Sequence, residues 1–432
     1  MSLELMSLIL VGGLLFLLAI GLEIFAAMGI MASLGLLLFV GQPLGQFAFT
    51  SWSYMNSFTL TCMPLFIFMG AIFQYTGVIT PLFVGANKWL GGLPGGLACS
   101  VLGANAIFGA MSGSSVAAAA TFGKIAFPEM ERLGYDPGLA LGTIVVGGTL
   151  SVLIPPSIIL VVYGVWQEVS IAQLFAAGMI PGIILALLLM LTIIVLVKLN
   201  PRLAPEPPKS TWREKLRAVI EIGPFVAIIV IVLGVIFAGI MTPTEAAAMG
   251  AFASIVLALA YRRMTFIALK ESMLTAIKVT AMVAVIVVSA KVLCQVFQYI
   301  GLTAAIAEFM FQLPFRKYGI MAVLCVMYLI LGCFFDSFSM MLLTLPFVTP
   351  IIIGLGFDLI WFGVVYVVLA EIGLVTPPFG LNLFVIRSVV PQHDIMVVAR
   401  GALPFLVPTL LMIALLITFP QLALWLPRLL YR

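Results

Sequence analysis

Three kinds of residue in this chain could do chemistry. The first is an acid: Asp336 in Gly332-Cys333-Phe334-Phe335-Asp336-Ser337-Phe338-Ser339, set inside a long apolar stretch. Such an acid either balances a cation or caps the helix that follows, and one carboxylate can do both. The second is a run of small polar residues, Ser112-Gly113-Ser114-Ser115, in an equally apolar setting. These let the backbone leave the helix and release carbonyls and hydroxyls; a close helix crossing is the competing explanation. The third is a pair of double prolines, Pro155-Pro156 and Pro377-Pro378. Proline removes a donor and clashes with the carbonyl four residues back, so two in a row unwind a helix. The carbonyls freed at Val152, Leu153, Val375 and Thr376, with the hydroxyls of Ser157 and Thr376, are hard oxygen ligands suited to Na⁺. The helix ends created there offer a positive dipole to an anion. Asn382, four residues past Pro378, is placed to orient a polar substrate.

These residues recur at a spacing of 222 positions. Pro155-Pro156 matches Pro377-Pro378, Ser114-Ser115 matches Asp336-Ser337, Glu23 matches Glu245 and Pro128 matches Pro350. Pro181 matches Pro404 with one residue of drift. The punctuation repeats while most other residues do not, which is the pattern of a duplicated transporter with broken helices.

The elements that position them lie in a membrane. Hydrophobic residues make up 64% of the 432 and charged residues 8%, and the apolar runs are continuous rather than alternating. That excludes a soluble domain of useful size and disfavours a sheet barrel. The expected spans of the first half are 5–20, 24–40 and 58–77, an interrupted hairpin over 93–127, a helix over 139–165 broken at Pro155, and 174–197. The second half gives 222–240, 245–261, 279–299 and 301–313, a hairpin over 319–350, a helix over 360–386 broken at Pro377, and 402–425. The fold class is an all-α polytopic membrane protein of two inverted-topology repeats, 1–199 and 218–432. A proline-rich basic linker, 200–217, joins them.

Basic residues favour the cytoplasmic side. With the linker inside and both hairpins re-entrant, 15 of the 20 lysines and arginines fall inside, against Arg316, Lys317, Arg428 and Arg432 outside and Lys291 within a span. Both termini are then periplasmic. The uncharged loop 41–57 lies outside and its basic counterpart near 263–278 inside, so the halves have opposite orientation.

A net charge of +4 is too small to indicate nucleic-acid binding. The five cysteines have no metal spacing and read as small hydrophobes. The one histidine, His393, is expected in a solvated inner loop, so Ser114 and Ser115 have no imidazole base; only Lys291 remains for an intramembrane hydrolase. No nucleotide-binding loop is present. Glu371 and Lys291 lie within spans and either pair or act in transport. Glu23 and Glu245 are expected to cap helices.

Several stretches, taken in order, resemble the large membrane subunit of tripartite ATP-independent periplasmic (TRAP) transporters. They are Met63-Pro64-Leu65-Phe66 with Gly70, Phe108 through Met130, Gly148 through Gly164, Thr242-Pro243-Thr244-Glu245-Ala246, Gly332 through Pro350, and Glu371 through Asn382. The resemblance covers roughly 5–425. It implies a non-enzymatic secondary transporter in a bacterial inner membrane that imports a small carboxylate, such as a dicarboxylate or sugar acid, with Na⁺. It implies an elevator movement of a transport domain against a scaffold. It also implies two partners: a small four-helix membrane subunit, expected as a separate chain, and a periplasmic binding protein. Carried over, one Na⁺ site uses Ser112, Ser115, Gly148 and Pro155, and the other Gly332, Asp336, Thr376 and Pro377. Candidate substrate contacts are Ser114, Ser157, Ser337, Gly380 and Asn382, with Lys291 and Arg387 as cations for a carboxylate. Arg387 is ten residues past the helix break, or about 15 Å of helix. A stand-alone divalent-anion/Na⁺ symporter with the same hairpins is the same-class alternative.

Overall fold

A computed structural model describes residues 2–41, 45–206, 210–377 and 380–431. Pro378 and Phe379 of the second break, Pro207, Pro208 and Lys209 of the linker, and Arg432 lie outside the described residues. Among the described residues the ordered elements are all helical, and eight helices are long and apolar enough to cross a membrane.

The 222-residue spacing extends from single residues to whole elements. Adding 222 to the bounds of Pro137–Leu153 gives 359 and 375, the bounds of Leu359–Val375. Asp136 and Asp358 start these two helices, Asp136 accepting from the Leu139 N–H and Asp358 from those of Ile360 and Trp361. A side-chain cap of this kind is worth about 1 kcal/mol. The hairpins match as well. Limbs Gly96–Ser112 and Ser115–Ile125 form the first; Lys317–Gly332 and Ser337–Gly354 form the second. The second limbs differ beyond the tip. The first copy turns at Ala126 and restarts as Phe127–Arg132, with Pro128 in its first turn, whereas the second copy stays one helix with Pro346 and Pro350 inside it.

Both interrupted helices are buried in protein. Every residue from Leu139 to Leu153 is buried, as is every residue from Trp361 to Val375. Irregular backbone at membrane depth is tolerated only where protein or a cavity satisfies it. The first break, between Leu153 and Ile158, lies against the helix Ile171–Leu199 at Gly178, where a Cβ would come within 2.7 Å of the Leu153 carbonyl oxygen.

Three elements differ from the sequence reading. The stretches 41–57 and 263–278, read as loops, contain the helix Gly45–Met55 and the first third of a single 34-residue helix, Phe266–Tyr299. A further helix, Ile79–Leu90, follows a left-handed turn at Gly77. Runs of about 20 apolar residues identify spans, so short or mixed-polarity helices escape that criterion. In 266–299 the polar residues Lys270, Glu271 and Lys278 suggest a loop, yet no glycine or proline interrupts the segment and Thr265 caps it. Glu245 completes a reciprocal cap with Thr242, as expected; Glu23 precedes its helix with no side-chain bond to it.

Candidate functional site

The first hairpin tip is built by Gly113 and Ser114. Gly113 has φ 59°, the left-handed region that glycine adopts without steric cost. A Cβ there would sit 3.1 Å from the Pro156 carbonyl oxygen and from the Ile158 nitrogen, so the tip lies directly on the first helix break. Ser114 caps the second limb, its Oγ accepting from the Ala117 N–H at 3.3 Å. Ser157 caps the helix after the break in the same way, accepting from Leu160 at 3.4 Å. Gly148 lets the Ser115 carbonyl approach: a Cβ would be 2.8 Å from that oxygen. The Ser112 hydroxyl is buried and unbonded among the described residues. Ser115 and Gly148 therefore meet beside the first tip, Ser112 packs against Gly70, and Pro155 sits at the break that the tip touches.

The second tip repeats the arrangement with an acid. Asp336 Oδ2 accepts from the N–H groups of Phe338 and Ser339 at 2.9 and 3.1 Å. Its other oxygen has no part in that cap. The first limb crosses the second broken helix at Gly332 and Gly373, where a Cβ on Gly373 would lie 2.4 Å from the Gly332 Cα. Past that crossing, the Thr376 hydroxyl donates to the Ile372 carbonyl at 2.6 Å, which leaves its lone pairs free. Gly380 packs against the carbonyls of Leu374 and Thr376. Pro377 is half-buried beside them.

The two tips share one cavity of about 380 Å³. Ser114 and Ser115 enter it from the first hairpin, Asp336 and Ser337 from the second, and Glu371 from the second broken helix. Its remaining wall is apolar and includes Val279 and Met282 of the long helix Phe266–Tyr299. A direct bond joins the repeats at this point: Asn382 Nδ2 donates to Ser115 Oγ at 2.6 Å.

Residues 11–422 match the family model described as the tripartite ATP-independent periplasmic transporter, DctM component. The chain belongs to this TRAP transporter family. It is 35% identical to the C4-dicarboxylate TRAP transporter large permease protein of Pseudomonas aeruginosa, covering 93% of each chain. It is 31% identical to the sialic acid TRAP transporter large permease protein of Vibrio cholerae serotype O1, covering 87% of each. The solved YdaH transporter of Alcanivorax borkumensis shares the fold, with TM-score 0.64 over 97% of this chain and 98% of that one, at 15% identity.

Two candidate residues of the TRAP permease lie apart from the cavity. Lys291 is held between aromatic rings, its Nζ 3.9 Å from the Trp166 ring centre and 4.5 Å from that of Tyr54. It also donates to the Trp166 carbonyl at 3.4 Å. Arg387 turns outward, and its guanidinium binds the carbonyls of Pro391 and His393. Neither pairs with Glu371, and among the described residues no lysine, arginine or histidine lines the cavity. His393 is not a free loop residue. It sits 3.5 Å from Glu131 and edge-on to Phe127, which ties the loop after the second broken helix to the end of the first hairpin.

Sequence reasoning left Glu371 between two roles and did not identify the apolar wall. Glu371 had a signal, an acid within a span beside a helix break. Val279 and Met282 had none, since nothing distinguishes them from other apolar residues of their helix.

Proposed function

We propose that the permease imports a small organic anion with Na⁺, by an elevator movement that carries both hairpin tips and the cavity between them across the membrane. The observation that carries this reading is the cavity shared by Ser114, Ser115, Asp336, Ser337 and Glu371. Its polar groups are oxygens and its only charged side chains among the described residues are acids. A hard monovalent cation suits such oxygens, and a cation bound at each tip supplies the positive charge that an anionic substrate needs. The first Na⁺ site is formed by Ser112, Ser115, Gly148 and Pro155, the second by Gly332, Asp336, Thr376 and Pro377. Substrate contacts come from Ser114, Ser157, Ser337, Gly380 and Asn382. Relatives named for C4-dicarboxylates and sialic acid support a carboxylate. The permease works with a small membrane subunit and a periplasmic binding protein in a bacterial inner membrane, its linker cytoplasmic and its termini periplasmic.

Uptake into proteoliposomes tests this, with and without a Na⁺ gradient and with and without a binding protein. Uptake that follows the Na⁺ gradient and requires the binding protein is expected. Uptake indifferent to Na⁺ defeats the coupling, and full uptake without a binding protein indicates a stand-alone symporter.

A further inference from the structure

Glu371 is the least explained charge in the molecule. It is 3% exposed, near the end of a helix buried from Trp361 to Val375. Its carboxyl faces the hydroxyls of Ser115 and Ser337, yet neither approach reaches hydrogen-bond geometry, and both carboxyl oxygens are left unbonded among the described residues. The ion pairs found among those residues join Lys88 to Glu214 and Arg132 to Glu129, and His393 lies beside Glu131; Glu371 has no such partner. An uncompensated carboxylate at such a place costs several kcal/mol, so the carboxyl is either neutralised by a proton or held by a counter-charge.

The surrounding oxygens favour the counter-charge. Ser337 Oγ is buried and unbonded, and so is Asn382 Oδ1, on the same amide that donates to Ser115. These are neutral oxygens with free lone pairs: Ser337 lines the cavity with Glu371, and the Asn382 amide is bonded to Ser115 of the same lining. No nitrogen or sulfur ligand joins them, and no group of histidine, cysteine and acid side chains that could hold a transition metal occurs among the described residues. Oxygen-only sets with a single negative charge suit a hard monovalent cation.

We infer that Glu371, Ser115, Ser337 and the Asn382 carboxamide oxygen form an additional Na⁺ site that bridges the two repeats. It differs in kind from the two tip sites, each of which draws on one repeat. Ser115 belongs to the first hairpin and Ser337 to the second, so this site is complete only when both tips close on the second broken helix. Asp336 and Glu371 line the same cavity, and an entering anion would meet both charges. A cation at Glu371 removes one of them, which makes anion binding depend on its occupancy. The inference rests on the Na⁺-coupled reading for its role in transport, while the ion site itself stands on the geometry.

Equilibrium binding of ²²Na⁺ to the purified permease complex tests it, alongside uptake by the same preparation. Glu371→Gln is expected to bind one Na⁺ fewer per complex than wild type. Ser337→Ala, which removes an oxygen but no charge and belongs to neither tip site, is expected to weaken Na⁺ binding about tenfold. A Glu371→Gln complex that binds as many Na⁺ as wild type overturns the site and leaves the coupling intact. So does an unchanged Na⁺ count with loss of pH-dependent uptake, which makes Glu371 a proton carrier. If wild type binds Na⁺ but takes up substrate without a gradient, the coupling fails and the site stands. If Glu371→Gln does not assemble, unchanged Na⁺ affinity in Ser337→Ala overturns the site.

Discussion

The Asn382 amide donates to the Ser115 hydroxyl at 2.6 Å, joining the tip of the first hairpin to the helix after the second break. The residues are 267 positions apart, and both are buried. Ser115 thus has two partners in the other repeat: it is bonded to Asn382 and faces Glu371. A change at either end alters the site of both halves.

Asn382→Ala removes the donor and leaves Ser115 without its bond. A buried hydrogen bond of this kind contributes about 1 kcal/mol net, with a further penalty of about 1–3 kcal/mol where a polar group is left unsatisfied. Na⁺-driven uptake is expected to fall about tenfold or more at an unchanged level of folded protein. Normal uptake would show that the cross-repeat bond has no part in transport.

Asp336 has two roles that substitution can separate. Asparagine also caps helices well, so Asp336→Asn keeps most of the cap and removes the charge. Asp336→Ala removes both and costs about 1 kcal/mol more in stability. The Asn variant is expected to keep wild-type thermal stability without Na⁺ but lose much of the shift that Na⁺ produces. Equal Na⁺ shifts in wild type and the Asn variant would reduce Asp336 to a cap.

At Gly373 the permease needs the absence of a side chain. A Cβ there would stand 2.4 Å from the Gly332 Cα, a distance that backbone movement alone can relieve. Gly373→Ala is expected to destabilise by about 1–3 kcal/mol and to part the second hairpin from its broken helix. A drop in melting temperature together with loss of Na⁺ response checks this. Gly21→Ala serves as the contrasting variant, since nothing lies within 4 Å of a Cβ there; its strain is that of positive φ alone.

Lys291 is a packing residue on this geometry. Its ammonium lies over Trp166 and near Tyr54, contacts worth about 0.5–2 kcal/mol. Lys291→Met is expected to lower thermal stability by that order while the substrate KM stays unchanged. A large rise in KM with normal stability would return Lys291 to the substrate site.

Cys333 offers a reporter of movement. Among the five thiols it alone is partly exposed, and it stands one residue past the first limb of the second hairpin. Thiol labelling of a variant that keeps only Cys333 is expected to slow when Na⁺ and substrate are both present. Labelling indifferent to both would place the tip outside the moving part.

The sequence by itself determined the periodic part of this protein. Apolar runs mark spans because lipid accepts no unsatisfied backbone, and Pro155, Pro377, Gly113 and Asp336 mark breaks and tips because they act on their own backbone. The duplication was legible for the same reason, since it repeats local signals at one spacing. What the tertiary structure decided are the relations between distant residues. It bonded Asn382 to Ser115, left Glu371 without a cationic side-chain partner among the described residues, drew Lys291 to Trp166 and Arg387 to its own loop, and brought Val279 and Met282 to the cavity. Local punctuation acts through the chain's own backbone and can be read along it. Which side chains meet across hundreds of positions depends on how close-packed helices fit, and here glycines such as Gly332 and Gly373 set that fit by permitting backbones to touch.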